Sequence, residues 1–359
     1  MLKYRRMRIY RRLRMVVGFL SVISMCVVMP GLSAAPIPKR IIRIGHFPTI
    51  THAQAVIAHG MSRQGDGWFE RRLGPDVNIE WYVYKAGPSA MEALLTGVID
   101  LAFVGPNPAI NAHLRSGGKE VRIVAGACSG GAALLVGRDA GIVTDLDFKG
   151  KRVATPQLGN TQDVAMRSWL RAKGFAVTVA GGDVTVLPTS NADLLTLFQG
   201  KQIDAAWTVE PWVSLLESKI GAKIYLQESA LWKDTGGRYV TTQLVSSVRF
   251  LESDADLLGK FVAAHIELTD WTKRDPRSAK KYFNAEIEYE TGRAMPVAIL
   301  DKAWERIELT YDPVSASLAR SAKSAYEIGF LKRAADLSRI YEFGLLNAAL
   351  RSQGRGEVR

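Results

Sequence analysis

Five short stretches carry residue types suited to holding a small polar molecule: 47–53 "FPTITHA", 104–109 "VGPNPA", 127–132 "ACSGGA", 157–163 "QLGNTQD" and 208–212 "TVEPW". Each follows a strand-like run and is rich in Gly, Pro and small polar residues. The fourth states its chemistry most directly. Asn160 or Thr161 can cap a helix running to Lys173, with Gln162 in its first turn. First-turn amides have no partner within a helix, and with the helix dipole they can hold an anion or a polar head group. The same residues serve equally well as ordinary caps. Asp163 adds a carboxylate to that turn, where it is expected to compete with a fully ionised ligand.

None of the five stretches contains Lys or Arg, so a bound oxyanion would rest on amides and hydroxyls. His52 can be a protonated partner for an anion or a structural hydrogen-bonder. Glu210 discriminates more sharply. In a cleft its carboxylate would repel a small bare anion but pair with an ammonium group, favouring a ligand that carries an amino group, a larger organic anion with its tail near Glu210, or a non-anionic ligand. The alternative is that protein groups bind Glu210 and it never meets ligand. Trp207 and Trp212 can pack on an alkyl chain or belong to the core. Catalytic chemistry finds no support: there is no HExxH zinc helix, GxSxG elbow or Walker-type loop. Cys128 has no histidine near it in sequence. No catalytic residue, cofactor or metal ligand is assigned.

The formal charge of +12 is concentrated at the start. Residues 1–35 hold seven basic residues and no acid, leaving 40 basic against 35 acidic residues, or +5, in the remainder. A cationic head, the apolar run "MVVGFLSVISMCVVM" and "PGLSAAP" read as a secretory signal peptide, residues 1–35. Without it, Cys128 is the only cysteine and no internal disulfide can form. No basic block interleaved with aromatics marks the chain for nucleic acid.

The elements that must carry these stretches alternate short β-like runs with helical ones, the pattern of an α/β fold. Strands are expected at 41–47, 77–84, 100–105, 120–127, 183–188 and 204–209, and helices at 52–63, 88–97, 162–173 and 191–200. Two units echo each other, "MEALLTGVIDLAFVGPNPA" and "LLTLFQGKQIDAAWTVEPW": amphipathic helix, Gly stop, hydrophobe-Asp step, strand, proline loop. Two similar α/β lobes imply a cleft, with ligand beyond the carboxyl ends of the strands. From about 254 to 351 the pattern is mostly helical.

Taken in order, "RIGHFPTITHAQAVIA", "GPSAMEALLTGVIDLAFVGPNPAI", "GGAALLV", "DFKGKRVATPQLGNTQDVAMRSWL" and "DAAWTVEPW" resemble the substrate-binding proteins of ABC importers for aliphatic sulfonates, taurine and nitrate. The resemblance implies a two-lobed type II periplasmic binding protein fold with a central cleft and hinge strands. Lobe one would comprise 36–130 and 239–359, and lobe two 131–238. It implies ligand contacts at Thr51 and His52, Asn107 and Pro108, Ser129 and Gly130, Asn160, Thr161 and Gln162, and Trp207, Glu210 and Trp212. His46 stands where the family more often has an aromatic, which would alter the pocket wall. The implied partners are a small organic anion and an inner-membrane ABC permease, with the protein a periplasmic monomer. A nitrate or thiamine-pyrimidine precursor ligand, or a sensing role, remains the alternative.

Overall fold

The computed structural model describes residues 40–179 and 181–359, and the expected leader, residues 1–35, lies outside them. The strands are β1 (Arg40–His46), β2 (Val77–Val83), β3 (Leu101–Val104), β4 (Val121–Gly130), β5 (Ala132–Val136), β6 (Arg152–Thr155), β7 (Val177–Thr178), β8 (Gly181–Gly182), β9 (Thr185–Pro188), β10 (Ala205–Val209), β11 (Lys223–Gln227), β12 (Val240–Ser247) and β13 (Ile307–Leu309). The helices are α1 (Ala53–Arg63), α2 (Trp68–Leu73), α3 (Gly87–Thr96), α4 (Pro106–Arg115), α5 (Thr161–Ala172), α6 (Leu194–Gln199), α7 (Trp212–Ile220), α8 (Val248–Ser253), α9 (Ala255–Arg274), α10 (Pro276–Thr291), α11 (Val297–Glu305), α12 (Ser315–Glu327) and α13 (Gly344–Ser352).

Two main sheets result, ordered β13-β4-β12-β3-β1-β2 and β11-β5-β10-β6-β9. In the first, β1 lies between parallel β2 and β3, and β12 pairs antiparallel with β3. In the second, β6 lies between parallel β9 and β10, and β5 pairs antiparallel with β10. Apart from β13, which has no counterpart, the two orders correspond, with β3 answering β10. These are the strands that close the two echoing sequence units.

Helices cover both faces of each sheet because the strands are apolar on both sides. On β1, Ile42 and Ile44 join Ile57, Phe69, Phe261, Phe283 and Leu346 in one core. Gly45 faces the other way, where an added Cβ would lie 2.8 Å from Ile99 Cδ1 and 2.9 Å from the Tyr84 ring. Across the sheet, Ile110, Val245, Leu318 and Ala322 form a second core. The second sheet buries Phe148, Trp169 and Trp207 on one face and Leu135, Leu194 and Leu216 on the other.

The chain passes between the sheets at Gly130–Gly131, whose φ angles of 84° and 81° favour glycine. It returns at Tyr239, whose carbonyl accepts from Gly130 N at 3.2 Å and whose hydroxyl accepts from Ala132 N at 2.9 Å. Two elements depart from the sequence reading. The stretch around Asn107 is the start of α4 rather than a loop, because Pro106 is well suited to the first turn of a helix. The C-terminal region interrupts its helices with β13, which pairs with the edge of β4. Among the described residues, no helix is long and apolar enough to cross a membrane.

Candidate functional site at the seam between the sheets

The five stretches meet where the two sheets face each other. Thr49 Oγ1 donates to Glu210 O at 3.3 Å, joining the first to the fifth. A Cβ at Gly105 would lie 2.9 Å from Thr161 Oγ1, so the second abuts the fourth. Glu210 N donates to Gly131 O at 2.7 Å, joining the fifth to the third.

A cavity of ≈ 140 Å³ opens along this seam, lined by Asn107, Thr161, Ser168, Glu228, Trp232 and Arg320 among others. Asn107 and Thr161 stand in the first turns of α4 and α5, one beside each sheet. Asn107 Oδ1 is buried without a partner. So are both amide atoms of Gln243, which lies opposite Val104 on the neighbouring strand. Buried polar atoms are normally satisfied. Orphans at the carboxyl end of β3 therefore mark a place where a polar ligand or water would gain hydrogen bonds. A larger groove of ≈ 480 Å³ lies by α3, α4 and residues 330–333, but of the candidate residues it takes only Pro108. It touches one sheet unit alone, whereas the smaller seam cavity is lined from both.

The charges are arranged differently from the sequence expectation. Asp163 does not compete for the ligand. Its carboxylate is fully buried and turned inward, accepting from Thr155 Oγ1 (2.8 Å), Gly159 N (2.9 Å) and Arg167 Nε (3.0 Å). Asn160 caps Asp163 N at 2.9 Å, the ordinary capping role. Glu210 also turns from the cavity: it accepts from Ser214 N at 3.0 Å, Ser214 Oγ at 2.9 Å and Arg306 at 3.0 Å. Burial pushes the Glu210 carboxyl up from the usual range, against the lowering by Ser214 and Arg306. Glu210 is therefore engaged by protein groups and is not free to pair with a ligand ammonium.

Other candidates sit off the cavity. Trp207 is core, fully buried, and donates its indole N–H to Glu228 at 2.8 Å. His46 is buried behind the first stretch and is not a pocket wall. Pro108 packs under α3, and an added Cβ at Gly87 would lie 2.3 Å from its ring. His52 is buried and stacked on Phe47 at 4.4 Å; burial holds its pKa well below the usual value, so it does not supply a cation. Thr51 and Gln162 are buried in the turns that open α1 and α5, and Trp212 is half-buried at the start of α7. Ser129 accepts from Tyr239 N at 3.2 Å beside Gly130, in the crossing. Cys128 is buried, and burial raises its thiol pKa, leaving no nucleophile.

Sequence reasoning missed the cation. Arg320, on α12, lies 4.7 Å over the Trp232 ring and pairs with Asp234 at 3.1 Å. It also missed Glu228, held up at about 7 by burial although Trp207 and Trp232 donate to it. Both stand far from the five stretches in the chain, so no local spacing could announce them.

Two facing α/β layers joined by paired crossings and meeting at a polar seam define a two-lobed periplasmic-binding-protein fold. Residues 35–286 match the model of the NMT1-like family, and the chain belongs to that family. A relative from Escherichia coli (strain K12), named for aliphatic sulfonate binding, is 26% identical over 72% of this chain and 76% of its own. The alkanesulfonate-binding protein SsuA from Xanthomonas axonopodis pv. citri, solved bound to MOPS, superposes with TM-score 0.69 at 21% identity, covering 86% of this chain and all of its own. The periplasmic nitrate-binding protein NrtA from Synechocystis PCC 6803 also reaches 0.69, at 14% identity over 88% of this chain and 89% of its own.

Proposed function

We propose that this protein is the solute-binding component of an ABC importer, capturing a small organic anion, an aliphatic sulfonate or taurine, between its lobes. The carrying observation is the seam cavity, where the starts of α4 and α5 bring Asn107 and Thr161 together beside Arg320. Helix starts and one cation suit a sulfonate head, and Trp232 and Ala165 offer apolar surface to a short tail. Lobe one is 36–130 with 239–359 and lobe two is 131–238, closing about Gly130–Gly131. Export to the periplasm, a monomeric state and delivery to an inner-membrane permease complete this reading; the relatives named for sulfonate binding support the ligand class, and a structural neighbour named as periplasmic supports the compartment. Closure requires that the ligand prefer the closed state.

Thermal unfolding of the purified protein against taurine, alkanesulfonates, nitrate, sulfate and thiamine-pyrimidine precursors tests it. A ligand at about 100 times its Kd adds about 2.7 kcal/mol to the folded state. Upward shifts confined to sulfonates support the proposal. A shift with nitrate or the pyrimidine precursors alone replaces the ligand class.

A further inference from the structure

Behind the first loop, away from the seam cavity, two histidines and a carboxylate converge. His46 ends β1, His59 lies in the second turn of α1, and Glu290 is near the end of α10. His46 Nε2 is 3.0 Å from His59 Nδ1, which is 2.8 Å from Glu290 Oε1; that oxygen lies 3.3 Å from His46 Nε2. The His46 and Glu290 side chains are 0% and 4% exposed, while His59 reaches solvent with 15% of its side chain.

Hydrogen bonding does not satisfy this triangle. With Glu290 a carboxylate, both histidine nitrogens would have to be N–H donors to it, and they would then oppose each other at 3.0 Å. His46 Nδ1 contacts Phe47 O at 3.3 Å, and a carbonyl can only accept, so neutral His46 presents a lone pair at Nε2. One His59 proton must then serve both neighbours. Glu290 Oε2 is buried and has no partner at all.

The same three atoms fit a metal ion. An ion about 2.05 Å from each donor would sit about 1 Å out of their plane, with donor–metal–donor angles of about 86–107°. A ring nitrogen fixed through the other nitrogen's bond to a backbone carbonyl is the usual support for a metal-binding histidine. Glu286, 3.2 Å from His59 Nδ1, adds negative charge and engages Arg63 through its Nε at 3.0 Å. Binding would move the His59 proton to Nε2, which faces Arg63 at 3.4 Å, so Arg63 must shift.

We propose that His46 Nε2, His59 Nδ1 and Glu290 Oε1 form a site for one divalent transition-metal ion of the zinc, cobalt or nickel type. Two imidazoles with one carboxylate favour such ions over Mg²⁺ or Ca²⁺. The ion ties β1, α1 and α10 together directly behind the 47–52 loop, and it does not depend on the ligand proposed for the seam.

The test is titration of the chelator-stripped protein with CoCl2, ZnCl2 and MgCl2. One Co²⁺ per chain should bind with visible d–d absorption, quenching the fluorescence of Trp81, which stacks on His59 at 5.3 Å. Saturating Zn²⁺ should raise Tm by about 5 °C and Mg²⁺ should not. His59→Ala should abolish the absorption, and Glu290→Gln should weaken binding at least about tenfold. Should either variant fail to fold, Cu²⁺ electron paramagnetic resonance of the wild type must show two coupled imidazole nitrogens. Absent Co²⁺ absorption in the wild type, a copper spectrum without two imidazoles, or undiminished binding in both folded variants (an adventitious ion only) would overturn the site.

Discussion

Glu228 shows how one buried carboxyl couples the seam to pH. Its neighbours Trp207 and Trp232 donate to it, yet burial dominates and raises its pKa to about 7. A raised folded-state pKa gives stability that is complete below the unfolded value near 4.5 and is lost as pH rises through 7. Glu228→Gln should remove a pH-dependent component on the order of 3 kcal/mol. Urea midpoints from pH 4.5 to 8 check this, and parallel profiles for variant and wild type would contradict it. Asp163 and Arg167 make a second residue-scale case, both almost wholly buried and paired at 3.0 Å. Arg167→Ala leaves an uncompensated carboxylate at the start of α5, and denaturant unfolding should show a loss of about 3–5 kcal/mol. A loss below about 1 kcal/mol would mean that the pair does not hold that turn.

At the scale of elements, the crossing from β4 to β5 depends on two consecutive glycines. A Cβ at Gly131 would lie 2.7 Å from Ile307 Cγ2, at a φ of 81° that costs a side chain about 1–2 kcal/mol. Gly131→Ala should lower Tm and weaken anion binding; calorimetry with and without ligand reads both effects, and an unchanged Tm would deny the strain. Of the strands flanking this crossing, β4 was legible from its own apolar run at 120–127, whereas β5, beginning directly after the two glycines, was not among the expected strands. "DLAFVG" and "DAAWTV" announced β3 and β10, and the two sheets place them in corresponding positions. The helix at 106–115 was not legible as such: two prolines in "GPNPA" read as a loop, although proline is tolerated in a first turn. Asn160 and Thr161 were rightly placed at a helix start. The inward turn of Asp163 depended on Arg167, one turn later, and on Thr155 of β6, partners that spacing alone did not single out.

For the whole molecule, the lobes are held by charges that the sequence places far apart. Arg306, between α11 and β13, reaches Glu210 at 3.0 Å and Glu217 at 2.6 Å, and Lys302 reaches Glu217 at 3.1 Å. Arg306→Ala leaves buried Glu210 without its cation, costing about 3 kcal/mol, and should favour an opened form. Small-angle scattering of the ligand-free variant should give a larger radius of gyration than wild type; an equal radius would show that Arg306 does not hold the lobes together. The C-terminal segment contributes to the seam, since α11, β13 and α12 bring Arg306 and Arg320 there. On the proposed function, an organic anion binds between the starts of α4 and α5, beside Arg320. Isothermal titration of the best alkanesulfonate into wild type, Thr161→Val and Arg320→Ala tests it most directly. Affinity should be at least about tenfold weaker in each variant, as expected for a lost hydrogen bond or charge partner. Wild-type affinity in both variants would place the anion elsewhere and contradict it.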